Sequence, residues 1–74
     1  MNTTLDNGLR ILERLSRDAK EHSVSELARE LCLAKSMVHR LLRTLVARGY
    51  ARQNPETSRY SIALKPLELA SEIL

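Results

Sequence analysis

Between Ser23 and Gly49 the sequence dictates two helices with very little chain to join them. Ser23-Val24-Ser25-Glu26 has capping-box spacing, in which the Ser23 hydroxyl meets the Glu26 amide while the Glu26 carboxylate reaches back. A short helix over about residues 24–31 follows, with Leu27, Ala28 and Leu31 on its inner face. Leu31-Cys32-Leu33-Ala34 then leads at once into a second run that begins at Lys35. Advancing about 100° per residue along that run, Val38, Leu41, Leu42 and Leu45 gather on one side and Lys35, Ser36, His39, Arg40 and Arg43 on the other. Gly49 suits its C-terminal cap, with Arg48 placed favourably against the helix dipole. Two helices, a tight turn and a basic second helix form the pattern of a helix-turn-helix.

Charge is distributed to match. Lys35 to Arg59 carry six of the twelve basic side chains and one of the nine acids, whereas residues 1–34 hold five bases and six acids. A basic stretch in an otherwise balanced chain fits a polyanionic partner, because neutralising phosphates releases condensed counterions. A solvated helix face is the plain alternative, but such faces usually mix signs to gain i,i+4 pairs, and the polar side of the Lys35 run has no acid.

The flanks complete a small domain. Leu5, Leu9, Leu12 and Leu15 or Ala19 follow helical spacing, so a first helix is expected over about residues 5–19, capped by Thr3, Thr4 or Asp6. Ile11 falls off that stripe and suggests a second apolar contact, one candidate being a partner chain. After Gly49 the period changes. Tyr50 to Gln53 and Tyr60 to Leu64 read as two short strands joined by the turn residues Asn54-Pro55-Glu56-Thr57-Ser58, a hairpin wing with Arg52 and Arg59 flanking its tip. Pro66 suits the first turn of a last helix, whose Leu67, Leu69, Ala70, Ile73 and Leu74 give two apolar edges. Those edges call for a second copy or a further domain.

With Tyr50 and Tyr60 the only aromatics, a core of Leu, Ile, Val and Ala is expected, which favours helices over a large sheet. The lone Cys32 excludes an internal disulfide and is expected to be a half-buried small residue. Cys32, His22 and His39 match neither a zinc spacing nor a nucleophile-base set, and Gly8 and Gly49 make no phosphate loop. No catalytic site, metal or cofactor is therefore expected. Neither a membrane-spanning run nor a signal-peptide core is present in these residues, and a reducing cytoplasm is the expected setting.

Ser25-Glu26-Leu27-Ala28, Lys35-Ser36-Met37-Val38-His39-Arg40-Leu41-Leu42, Arg48-Gly49-Tyr50 and Pro55-Glu56-Thr57-Ser58-Arg59-Tyr60, in that order, resemble the winged helix-turn-helix of the IclR family of bacterial transcriptional regulators. The resemblance spans nearly the whole chain. It implies binding to double-stranded operator DNA as a homodimer or higher oligomer, and a small-molecule effector sensed by a separate C-terminal domain. Cys32 and Ser58 stand where the family usually has glycine, and Ala34 where proline is frequent.

The expected fold is thus mainly α with a small β-hairpin: a winged helix-turn-helix with a three-helix core, a two-stranded wing and a C-terminal linker helix. Residues 1–64 are expected to form the DNA-binding domain and 65–74 the start of a linker. The recognition helix, about 35–48, is expected in the major groove. Lys35, Ser36, Met37, His39, Arg40 and Arg43 are the expected DNA-binding residues there, with Arg52 and Arg59 in the wing. Arg10, Arg14 and Arg17, which sit among acids, are expected to be solvated surface. A homodimer would form through the first and last helices. The competing reading is a winged-helix protein-interaction module, which calls for an apolar patch in place of the basic face.

Overall fold

In the computed structural model, which describes all 74 residues, six elements follow one another: α1 (Thr3–Leu15), α2 (Val24–Leu31), α3 (Lys35–Ala47), β1 (Ala51–Gln53), β2 (Tyr60–Ile62) and α4 (Lys65–Ile73). The winged helix-turn-helix is present as expected. The strands pair antiparallel, with Ala51 opposite Ile62, Arg52 opposite Ser61 and Gln53 opposite Tyr60. They are shorter at their outer ends than the sequence suggested.

Eight side chains close the core: Ile11 and Leu15 from α1, Leu27 and Ala28 from α2, Val38 and Leu42 from α3, and Ala51 and Tyr60 from the hairpin. Tyr60 is the largest fully buried side chain, so the aliphatic core expected from composition is completed by an aromatic.

The first helix departs most from expectation. It starts two residues earlier, capped by Asn2, whose side chain accepts the Leu5 amide at 3.0 Å, and it stops at Leu15. Its buried stripe is Asn7, Ile11 and Leu15, while Leu5 and Leu9 remain 61% and 46% exposed. The leucine spacing was misleading because a polar residue occupies the core stripe: buried Asn7 donates to the Met37 thioether at 3.2 Å and accepts from Arg10. Arg10 also donates to the Leu31 carbonyl at 2.8 Å, at the end of α2. Arg14 pairs with Glu30 and Asp18, so only Arg17 of these three is the solvated residue expected.

Both helices of the helix-turn-helix end the same way. Leu33 N–H donates to Ala28 C=O at 2.9 Å, and Tyr50 N–H to Leu45 C=O at 2.8 Å, each bond closing over a left-handed residue. That residue is Gly49 (φ 84°) after α3 but Cys32 (φ 56°) after α2. Cys32 is exposed, not half-buried, because the left-handed turn points its side chain outward. Ser58 (φ 63°) repeats the strain in the wing turn.

Cys32→Gly and Ser58→Gly are each expected to raise stability by about 1 kcal/mol, since glycine adopts positive φ without the Cβ clash. Gly49→Ala should lower it by a similar amount. Urea unfolding of the three variants checks both directions, and a Cys32→Gly chain no more stable than the parent would refute the account of this turn.

Candidate nucleic-acid interface

On α3, Val38 and Leu42 are fully buried, and Met37, Leu41, Leu45 and Val46 are half-buried beside them. Lys35, Ser36, His39, Arg40 and Arg43 all face outward, as their spacing required. His39, Arg40, Arg43, Thr44, Ala47 and Arg48 line a shallow open groove along this face. No carboxylate lies within ion-pair distance of Lys35, Arg40, Arg43 or Arg48, whereas Arg14, Arg59 and Lys65 are all paired. Four uncompensated cations on one helix attract phosphate strongly.

The start of α3 adds to this field. Its N-cap is Ala34, which offers no side-chain acceptor, so the first-turn amides are left for an outside partner beside Lys35 and the Ser36 hydroxyl. Met37 lies half-buried with its sulfur against Asn7, on the inner edge of this surface.

The Gln53 and Tyr60 face of the hairpin borders this surface, and Arg52 lies on the other face beside Glu21. Arg43, Val46, Ala47, Gln53 and Tyr60 line a small cleft where α3 meets the strands. Arg52 is exposed in β1 and has no ion-pair partner. Arg59 is different: its Nη1 donates to Glu26 Oε1 on α2 at 2.7 Å. Sequence reasoning took the Glu26 carboxylate to be reaching back to its own cap. Only the Ser23 half of the capping box forms, with the Glu26 amide donating to Ser23 Oγ at 3.1 Å.

Arg48 and Thr44 join the groove through their i+4 and i+8 spacing from Arg40, a signal already present in the sequence. The acids that hold the wing had no such signal. Glu21 and Glu26 are more than 30 positions from their wing partners, Asn54, Thr57 and Arg59.

A chain of charges runs beneath the wing. His22 is buried with Nε2 at 3.0 Å from Asp18 Oδ1 and Nδ1 at 3.6 Å from Glu26 Oε2. Hydrogen bonding to His22, then to the Lys20 amide, holds the Asp18 carboxyl below its ordinary range. The Arg59 guanidinium does the same for Glu26, and Arg14 for Glu30.

The residues match the family profile described as the IclR helix-turn-helix domain over positions 4–55. This chain belongs to the IclR helix-turn-helix family. It is 34% identical over 65 residues to the HTH-type transcriptional regulator XynR of Escherichia coli, covering 88% of this chain and 26% of that protein. It is 36% identical over 64 residues to the regulator KdgR of Dickeya chrysanthemi, covering 86% of this chain and 21% of that protein. Among solved structures, an IclR family transcriptional regulator from Brucella abortus superposes with a TM-score of 0.88 at 30% identity, covering 99% of this chain and 28% of that one. HmgR of Pseudomonas aeruginosa gives 0.80 at 32% identity, covering 92% and 28%. The chain thus spans about a quarter of the length of these relatives. The matched family is one of DNA-binding helix-turn-helix domains, and the relatives named here are transcriptional regulators. No helix is long and apolar enough to cross a membrane.

The depressed carboxylates fix a pH dependence. Each has a folded pKa below its unfolded value, so its stabilisation is complete above the ordinary carboxylate range and is lost as pH falls through the folded pKa. The melting temperature should therefore fall as pH drops from about 5 to below 4. Glu26→Gln should flatten that fall, and an unchanged acid limb in this variant would show that the Arg59 pair contributes nothing.

Proposed function

We propose that α3 enters the major groove of operator DNA, with its first-turn amides, Lys35 and Ser36 against phosphate and with Arg40, Arg43 and His39 toward base edges. The observation that carries this reading is the basic outer face of α3, where Lys35, Arg40, Arg43 and Arg48 gather with no carboxylate among them. Arginine matches the O6 and N7 acceptors of guanine in a bidentate fork, which makes Arg40 and Arg43 the base readers. Arg52 and Arg48 grip the backbone on either side. Met37, at the inner edge, contacts a thymine methyl if the helix seats deeply.

Residues 1–64 form the binding domain in this reading, and α4 is the start of a linker. Its Leu67 and Ile73 are 68% and 85% exposed, and Leu5 and Leu9 open onto a groove against Leu41 and Leu45. These surfaces support pairing of two copies through α1 and α4, which addresses half-sites about one helical turn apart or a multiple of it. A small-molecule effector acts, on this reading, through a C-terminal domain reached by way of α4. A cytoplasmic setting follows from a DNA partner. A protein-interaction module is disfavoured because the outer face of α3 is basic, not apolar.

Arg40→Ala and Arg43→Ala are each expected to cost about 1–3 kcal/mol of binding to a duplex selected for tight binding, and much less on a random duplex. Fluorescence anisotropy on the two duplexes measures the difference. Equal losses on both would reassign the residue to phosphate contact, and no loss from either would remove α3 as the reader.

A further inference from the structure

Glu21 and Glu26 bond to the wing, which on the reading above meets DNA, where a carboxylate repels phosphate. Three of their four oxygens accept hydrogen bonds from the wing. Glu21 Oε2 accepts from Asn54 Nδ2 at 2.9 Å and Oε1 accepts from Thr57 Oγ1 at 3.2 Å. Glu26 Oε1 accepts from Arg59 at 2.7 Å, and Oε2 faces His22 Nδ1 at 3.6 Å. Three of the four oxygens hold the wing, and the fourth lies beside His22 in the segment to which the wing is paired.

The grip falls on residues that shape the wing. Asn54 Oδ1 accepts the Glu56 amide at 2.8 Å and the Thr57 amide at 3.4 Å, which forms the turn. Thr57 Oγ1 also accepts the Arg59 amide at 3.2 Å. A hairpin of two three-residue strands has little stability of its own, so its direction is set by whatever holds it from outside. Arg59 has one N–H donor and part of its charge committed to Glu26, so it gains less from a phosphate than Arg52, which has no carboxylate partner.

We propose that Glu21 and Glu26 are wing-positioning residues for DNA binding, and that Arg59 is the tether through which Glu26 acts and not a phosphate ligand. The inference rests on the DNA-binding reading above and assigns the wing cation within it. Arg52 is the residue that neutralises phosphate. Glu21 and Glu26 aim it by fixing the hairpin against α2 and the segment before it.

The test is a salt series of anisotropy titrations with a labelled random-sequence duplex, paired with amide exchange of the same variants without DNA. Arg52→Ala should lower the log-log salt slope by about one. Arg59→Ala should leave the slope unchanged, weaken binding several-fold, and speed exchange at the Asn54 and Ser58 amides while Leu42 stays protected. Glu21→Gln should speed exchange at the tip in the same way. Arg59→Glu should bind poorly, and Glu26→Arg with Arg59→Glu should recover both affinity and wing protection, because the swapped pair restores the tether. A slope lower by about one in Arg59→Ala with wing exchange unchanged would make Arg59 a phosphate ligand and overturn the inference. A double variant as weak as Arg59→Glu would overturn it as well. A wild-type chain with no salt-dependent binding would overturn the DNA reading itself, and the positioning role with it; the first two failures leave wild-type binding intact.

Discussion

Tyr60 joins the parts that must act together. Its side chain fills the core, and its backbone exchanges two hydrogen bonds of 2.8 Å with His22, in the segment between α1 and α2. The hairpin is therefore a ribbon paired on its inner side to the helical bundle, and His22 supplies in effect a third strand of one residue. Without that bridge the wing would be tied to the bundle only through side chains. With it, burial of one aromatic ring and pairing of one residue seat the base of the hairpin against the helices, and the contacts of Glu21 and Glu26 hold its tip.

The second constraint is the division of α3. Val38 and Leu42 have no exposure, so rotating the helix would pull both from the core and bring charged side chains in, which neither desolvation nor packing allows. The outward direction of Arg40 and Arg43 is thus a consequence of aliphatic packing on the opposite side. Turn geometry adds the approach: both helices of the pair end over a left-handed residue, and the chain accepts strain at Cys32 to keep the connection short. The orientation of the outer face of α3 is set by the aliphatic packing on its inner side.

Periodicity and capping carry information over three or four residues, and the parts of the fold built at that range were legible. The boundaries of α2, the start of α3, the Gly49 cap and the outward set of Lys35, Ser36, His39, Arg40 and Arg43 all follow from local spacing. What was misread depends on contacts distant in sequence. Asn7 hides the true buried stripe of α1, because its amide is satisfied by Met37, on another helix. Tyr60 enters an otherwise aliphatic core through pairing with His22, and Arg10 and Arg14 leave solvent to bind α2. Arg59 looked free because Glu26 is brought beside it only by the folded hairpin. Net charge in a window counts such a residue as unpaired, and only the tertiary fold brings its partner beside it.

The central claim is that one continuous surface, the outer face of α3 with the wing beside it, meets DNA. Two-dimensional amide NMR of the labelled chain titrated with a duplex too short to seat two copies tests it most directly. The account predicts that shifts concentrate in Lys35 to Arg48 and in Arg52 with its neighbours, while the exposed side of α1 and α4 is unmoved. Shifts confined to α1 and α4, with α3 silent, would contradict it.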